Sequence, residues 1–254
     1  MFYHHSSFRN AFEQYHETQA GCPFRSSKVG TTIVPRTRAE ADLVVHLEVD
    51  NGVRSYRPVL PTTIVDAHLG SAIGEVACYE VVHRACSFIL LLLDRDCASS
   101  TCPVTDKIAH GLVRSALRVF LVDHRLLRRE PRWTNVRQIF ACRDYPVSPG
   151  DRLRVLDFVD MHGQAELEDC AALCRASDEP VASVLALVAS ASLALDLERS
   201  ISHGSLLEVH GGPDRVRHTD GNQLAEIAWY TDLHQQTCTD AQFGAANRNA
   251  RGGI

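Results

Sequence analysis

The feature that most limits the fold is Phe88–Leu93, the run FILLLL. Six apolar residues are far short of the roughly 20 needed to span a membrane. No polar residue interrupts them, so neither an exposed strand face nor an amphipathic stripe is present. Such a run suits a strand buried on both faces, in a sheet covered by helices. Other strand-like runs are Thr62–Val65, Val76–Val82 and Arg118–Val122, with Ser87–Leu93 among them. Helical patterns occupy Arg38–Val49 and Lys107–Leu117. Helices interleaved with buried strands predict an α/β domain.

Past about residue 130 the pattern changes. Pro131 opens a helix with apolar residues at 136, 139 and 140. Ser148 and Pro149 read as an N-cap and a helix-starting proline, and Gly163 as the end of that helix. Ala165–Arg175 reads as a third helix and Ser177 as the cap of a fourth, with Val181, Val184, Leu185 and Val188 on its apolar face. Ser192–Leu197 alternates like a strand and Ser205–Val209 is its partner, so helices followed by a two-stranded wing predict a mainly helical winged-helix domain. The expected organisation is an N-terminal extension (1–24), an α/β domain (25–130), the winged helix (131–210) and a polar tail (211–254) with one helix at Gln223–Leu233.

The N-terminus has no secretory pattern, and the nine cysteines include no CxxC pair, so a reduced, cytoplasmic protein without a membrane segment is expected. Cys170 and Cys174, four apart in a helical pattern, suit two core-facing thiols, with a zinc pair as the alternative. Charge is polarised. Residues 107–154 hold 11 basic against four acidic groups, and residues 155–200 hold nine acidic against two basic. A basic belt fits phosphate contact or a solvated arginine surface. P-loop, dinucleotide and G-x-S-x-G fingerprints are absent from the sequence, and the 13 histidines lack ligand spacing.

One stretch resembles a known family. Arg25-Ser-Ser-Lys-Val-Gly30 precedes a helix carrying Glu40 and ending in Leu47-Glu-Val-Asp50. Val53-Arg-Ser-Tyr-Arg-Pro-Val-Leu-Pro61 follows, with Arg57 and Pro61 in the places of that family's Arg and Pro. Farther on come Arg118-Val-Phe-Leu-Val-Asp123 and Arg128-Arg-Glu-Pro-Arg-Trp-Thr-Asn-Val-Arg137. Over residues 25 to 210 this order resembles the TnsA-type transposon endonucleases. The resemblance implies a restriction-endonuclease-like, mixed-sheet core of the PD-(D/E)xK type, then a winged helix. It implies Mg²⁺-dependent phosphodiester cleavage, double-stranded DNA as substrate, and a DDE transposase and an AAA+ ATPase regulator as partners. A homo-oligomer is a further expectation.

Cleavage chemistry of that kind needs carboxylates to hold the metal and a lysine to stabilise developing charge. Glu40 matches the family's helical Glu. Tyr79 falls on the family's Tyr, but Val81 and Val82 then stand where Pro and Asp belong. The following strand, Cys86–Leu93, carries neither a carboxylate nor a lysine. Lys28 and Lys107 are the only lysines, and neither has Glu, Asp or Gln two residues before it. Asp94 and Asp96 could join Glu40 as metal ligands if the register slips, with Glu75 and Glu80 as looser candidates. The expectation is a nuclease fold that has lost its chemistry and serves as a DNA-binding or assembly component, with Glu40 a retained surface or structural acid. An active endonuclease, and an interaction module without nucleic-acid binding, are the alternatives. The segment Pro180–Ala191, in the recognition position, lacks Arg, Lys, Asn and Gln for reading bases. DNA contact is therefore expected from Arg114, Arg125, Arg128, Arg129, Arg132, Arg137 and Arg143. Trp133 is expected to pack a domain junction, with stacking on a base as the alternative.

Overall fold

The computed structural model describes residues 21–59, 77–93, 118–209, 229–233 and 235–236. The expected strand Thr62–Val65, the helix Lys107–Leu117, most of the extension and most of the tail lie outside them.

A short hairpin, β1 (Phe24–Arg25) and β2 (Thr32–Ile33), comes first. Helix α1 spans Arg38–Val49, the bounds expected from its pattern. Four strands follow: β3 (Val53–Pro58), β4 (Ala77–His83), β5 (Ser87–Leu93) and β6 (Arg118–Asp123). They form one mixed sheet in the order β3-β4-β5-β6. The first two pairings are antiparallel and β5–β6 is parallel. The protein is thus mixed α/β. β5 lies inside the sheet, and all six residues of FILLLL are buried. Each such side chain contributes about 1.5–3 kcal/mol by leaving water. Phe88 also meets Phe120 edge-on at 5.2 Å and Tyr230 at 5.1 Å.

Val53–Pro58, the start of the Val53–Pro61 segment, forms the strand β3. Its register shifts between Val53 and Ser55, so the buried Val53 and Tyr56 are three residues apart and the two-residue period is lost.

After the one-turn helix α2 (His124–Leu127) come α3 (Arg132–Ala141) and α4 (Pro149–His162). Ser148 caps α4 as expected, its side chain accepting from the Asp151 amide. Gly163 ends α4 at φ 76°, a conformation that disfavours side chains with a Cβ. The expected helix Ala165–Arg175 is two elements: strand β7 (Ala165–Glu166) and the shorter helix α5 (Leu167–Ala172). Helix α6 spans Pro180–Ala189 with Glu179 at its cap, and Ser177 Oγ accepts from the Glu179 amide. Strands β8 (Leu193–Leu195) and β9 (Leu206–Val209) pair antiparallel, and β7 adds to β9.

Contacts divide the chain into two compact units. Within the described residues, one holds residues 21–44, β3 to β6, α2 and the helical residues 229–233. The other holds residues 45–51 and everything from Arg129 to Val209.

Candidate functional site

Glu40 is the one candidate acid with a full geometry. Thr37 Oγ1 accepts from the Glu40 amide at 3.1 Å, which starts α1 with one half of a capping box. The carboxylate bends back over that first turn. Its Oε2 accepts from the Arg36 amide at 2.7 Å and from Arg36 Nε at 3.4 Å. Its Oε1 accepts from the Tyr79 hydroxyl at 2.7 Å. Glu40 is only 4% exposed, so it is not a surface acid. Burial, then the Glu40 charge and the hydrogen bond to it, push the Tyr79 phenol far above its usual pKa. Tyr79 therefore stays a donor.

The sheet beside this pair is apolar. Tyr79 stands opposite Leu90 on β5 and Pro58 on β3, and Leu90 stands opposite Phe120 on β6. Val81, at the position required for Pro, is fully buried, and Val82 is exposed. Glu80 points from the other face and is held by Arg57 Nε at 2.6 Å. The partners of the Glu40 carboxylate are a phenol donor, a guanidinium and an amide. They do not fit a divalent ion, which needs several oxygen acceptors. Asp94, Asp96 and Glu75 lie outside the described residues. Among the described residues no group of three or more His, Cys, Asp or Glu is placed to hold a metal.

Most of the described arginines of the basic belt are committed within the chain. Arg128 Nε donates to the buried Asp42 at 2.6 Å. Arg132 donates to Glu198 at 2.7 Å. Arg137 stacks over Trp133, 5.7 Å from the ring centroid, and Trp133 also meets His46 at 5.5 Å. Arg143 lies 3.9 Å over the Phe140 ring and pairs with Asp144 at 3.2 Å. The side chains of Arg125 and Arg129 are exposed. Arg114 lies outside the described residues.

Helix α6, expected in the recognition position, is closed off. Every residue from Ala182 to Val188 is buried, packed by α3, α5 and β8. Buried donors and acceptors without such packing partners would be costly, and here the whole helix circumference is apolar or small. No face of these seven residues is available to a groove.

The cysteines are also settled by burial. It pushes the thiols of Cys78, Cys142 and Cys170 to about 12 and that of Cys174 to about 11. At neutral pH these are protonated and poor nucleophiles. Cys170 and Cys174 are both buried free thiols, as expected of core residues.

Two residues escaped the sequence reading. Asn135 sends Nδ2 to the carbonyls of Leu197 and Arg199 at 2.8 and 2.7 Å, and its Oδ1 accepts from Ile201 at 3.2 Å. It pins the β8–β9 connection to α3. Asp151 is fully buried in the first turn of α4. Its carboxylate takes hydrogen bonds from Arg154 and from the amides of Arg175 and Ala176. The signal for Asn135 was its place inside the stretch Arg128–Arg137. Asp151 had only its third place after a capping serine.

Comparison with protein-family models, curated proteins and solved structures returns no match.

Proposed function

We propose that this protein is a non-cleaving, TnsA-like assembly component: a nuclease-like α/β core joined to a winged-helix unit. Three features support that architecture. A helix carrying Glu40 precedes the strands of one mixed sheet, and Arg118–Asp123, similar to the family's last strand, is the last of them in sequence. The helix–strand–helix–helix–strand–strand order of α4 to β9 is that of a winged helix. The stretch Arg128–Arg137 leads into the second unit.

The observation that carries the loss of cleavage is the Glu40 carboxylate. Both its oxygens are taken, by the Tyr79 hydroxyl and by the amide and guanidinium of Arg36. No catalytic step is assigned to these residues. The experiment is incubation with supercoiled plasmid and Mg²⁺ or Mn²⁺. Intact plasmid is expected; nicking that disappears in Glu40→Ala overturns the reading.

DNA contact, in this proposal, is limited to the phosphate backbone through Arg125 and Arg129. A second reading, an interaction module that binds no nucleic acid, is favoured by the burial of α6. A salt-titrated gel shift with random duplex separates the two, since phosphate contact weakens steeply with salt.

A further inference from the structure

The second unit has one face whose chemistry differs from everything assigned above. Among the described residues five large apolar side chains are exposed, and three belong to this unit: Leu153 at 61%, Met161 at 75% and Leu206 at 50%. Leu153 and Met161 lie on the outer side of α4. At about 100° per residue, Leu153, Asp157, Asp160 and Met161 fall within one arc of about 100°. All four are exposed. Eight residues at 1.5 Å make the apolar ends of this stripe about 12 Å apart.

A separate exposed pair lies on the small sheet. Only Gly163 and Gln164 separate the end of α4 from β7, where the exposed Glu166 stands opposite Leu206. Gln164 in turn bonds Glu208 on β9. The two basic residues of α4 are engaged elsewhere. Arg154 binds Asp151 and the Leu173 carbonyl, and Arg152 binds Ser192 Oγ at 2.8 Å. The face is therefore apolar and acidic, without an opposing cation from its own helix.

We infer that this face docks a basic, amphipathic helical segment of a partner protein. Charge decides the class of occupant. Carboxylates repel phosphate, so DNA and anionic lipid are disfavoured. Arginines or lysines on a partner helix would meet Asp157 and Asp160, while apolar residues about 12 Å apart on it cover Leu153 and Met161. Exposed apolar side chains rimmed by charge are a common form of protein docking site. The inference deepens the assembly reading and rests on it for its purpose, though not for its geometry.

The test uses the full chain and a fluorescein-labelled, 18-residue helical peptide with one arginine face and one leucine face. Anisotropy should show saturable binding that weakens as salt rises. Leu153→Ser/Met161→Ser and Asp157→Asn/Asp160→Asn should each weaken it by about tenfold or more, as expected when central contacts are removed. Val34→Ser/Val82→Ser, at the other exposed apolar positions, should leave it unchanged. Four results overturn the inference: no binding; equal binding by the variants; equal binding by an arginine peptide without leucines; or a protein mass that doubles through these same residues. A missing peptide interaction with intact plasmid removes this face and leaves the non-cleaving reading. Plasmid cleavage lost in Glu40→Ala removes that reading and leaves the face.

Discussion

Tyr79→Phe separates a structural Glu40 from a catalytic one. The substitution removes a single oxygen and leaves the ring in place. Glu40 Oε1 then loses its 2.7 Å donor in a site where the residue is 4% exposed. Leaving a buried acceptor unsatisfied costs about 1–3 kcal/mol. For a chain of this size that lowers the melting temperature by about 2–12 °C. Glu40→Gln should act similarly, because an amide cannot accept from both Tyr79 and Arg36 with the oxygens it has. The double variant should be less than additive by about 0.5 kcal/mol or more, since both changes break one contact. Urea and thermal unfolding read these values. A second arm adds Mg²⁺ or Mn²⁺ to the wild type. A ligand that binds only the folded form raises its stability, so a structural Glu40 predicts no metal-dependent rise. Tyr79→Phe with unchanged stability, or a metal-induced rise abolished by Glu40→Gln, would refute the argument.

Three further outcomes follow from single residues. In Asp151, burial raises the carboxyl pKa, but hydrogen bonds from Ser148, Arg154, Arg175 and Ala176 outweigh it and hold the group below its usual 3.8. Its contribution is therefore present above that value and is lost as pH falls through the lower folded one. Asp151→Asn should flatten the acid limb of the stability–pH curve below about pH 4, seen by urea unfolding across pH. At Gly52 a Cβ would run into the imidazole of the buried His83. Gly52→Ala should therefore destabilise by about 1–3 kcal/mol, partly restored by His83→Ala, in thermal melts. Asn135→Ala should cost about 2–4 kcal/mol, because two carbonyls and an amide lose their partner. Amide exchange should then rise first at Leu197, Arg199 and Ile201.

What could be read from the sequence depended on how local each signal was. The bounds of α1, of β5 and of the α4 cap came through, because each rests on a period or a cap within one or two turns. Strand β3 did not, since its register shift removes the alternation that announces a strand. Strand β7 is two residues long, too short for any period, and vanished into the following helix. At the site, Glu40 was visible as a lone acid, but its meaning was not. Tyr79 is 39 positions away, and Asp42 is 86 from Arg128. No spacing rule links such pairs, so the commitment of Glu40 and Arg128 appears only once the sheet is formed. The apolar circumference of α6 could be read directly, and its burial follows from that composition.

The arginine excess takes on a different sense from these pairings. A planar guanidinium can stack on Trp133 or Phe140 and still donate hydrogen bonds, which an ammonium does poorly. Arg128, Arg132, Arg137 and Arg143 all work in that way or as ion-pair forks. Such residues are poor candidates for phosphate contact, because moving them to DNA abandons an internal partner. Arg125 and Arg129 carry no such cost. A crossed pair of variants tests this. Arg128→Gln/Arg132→Gln should lower the melting temperature, as the buried Asp42 loses its partner, yet leave the salt slope of DNA binding unchanged. Arg125→Gln/Arg129→Gln should melt as the wild type but reduce that slope by about 1.8, at roughly 0.9 per phosphate contact. The reverse pattern, with the slope falling in the first variant and not in the second, would show that the ion pairs open on DNA and that the belt exists to bind it.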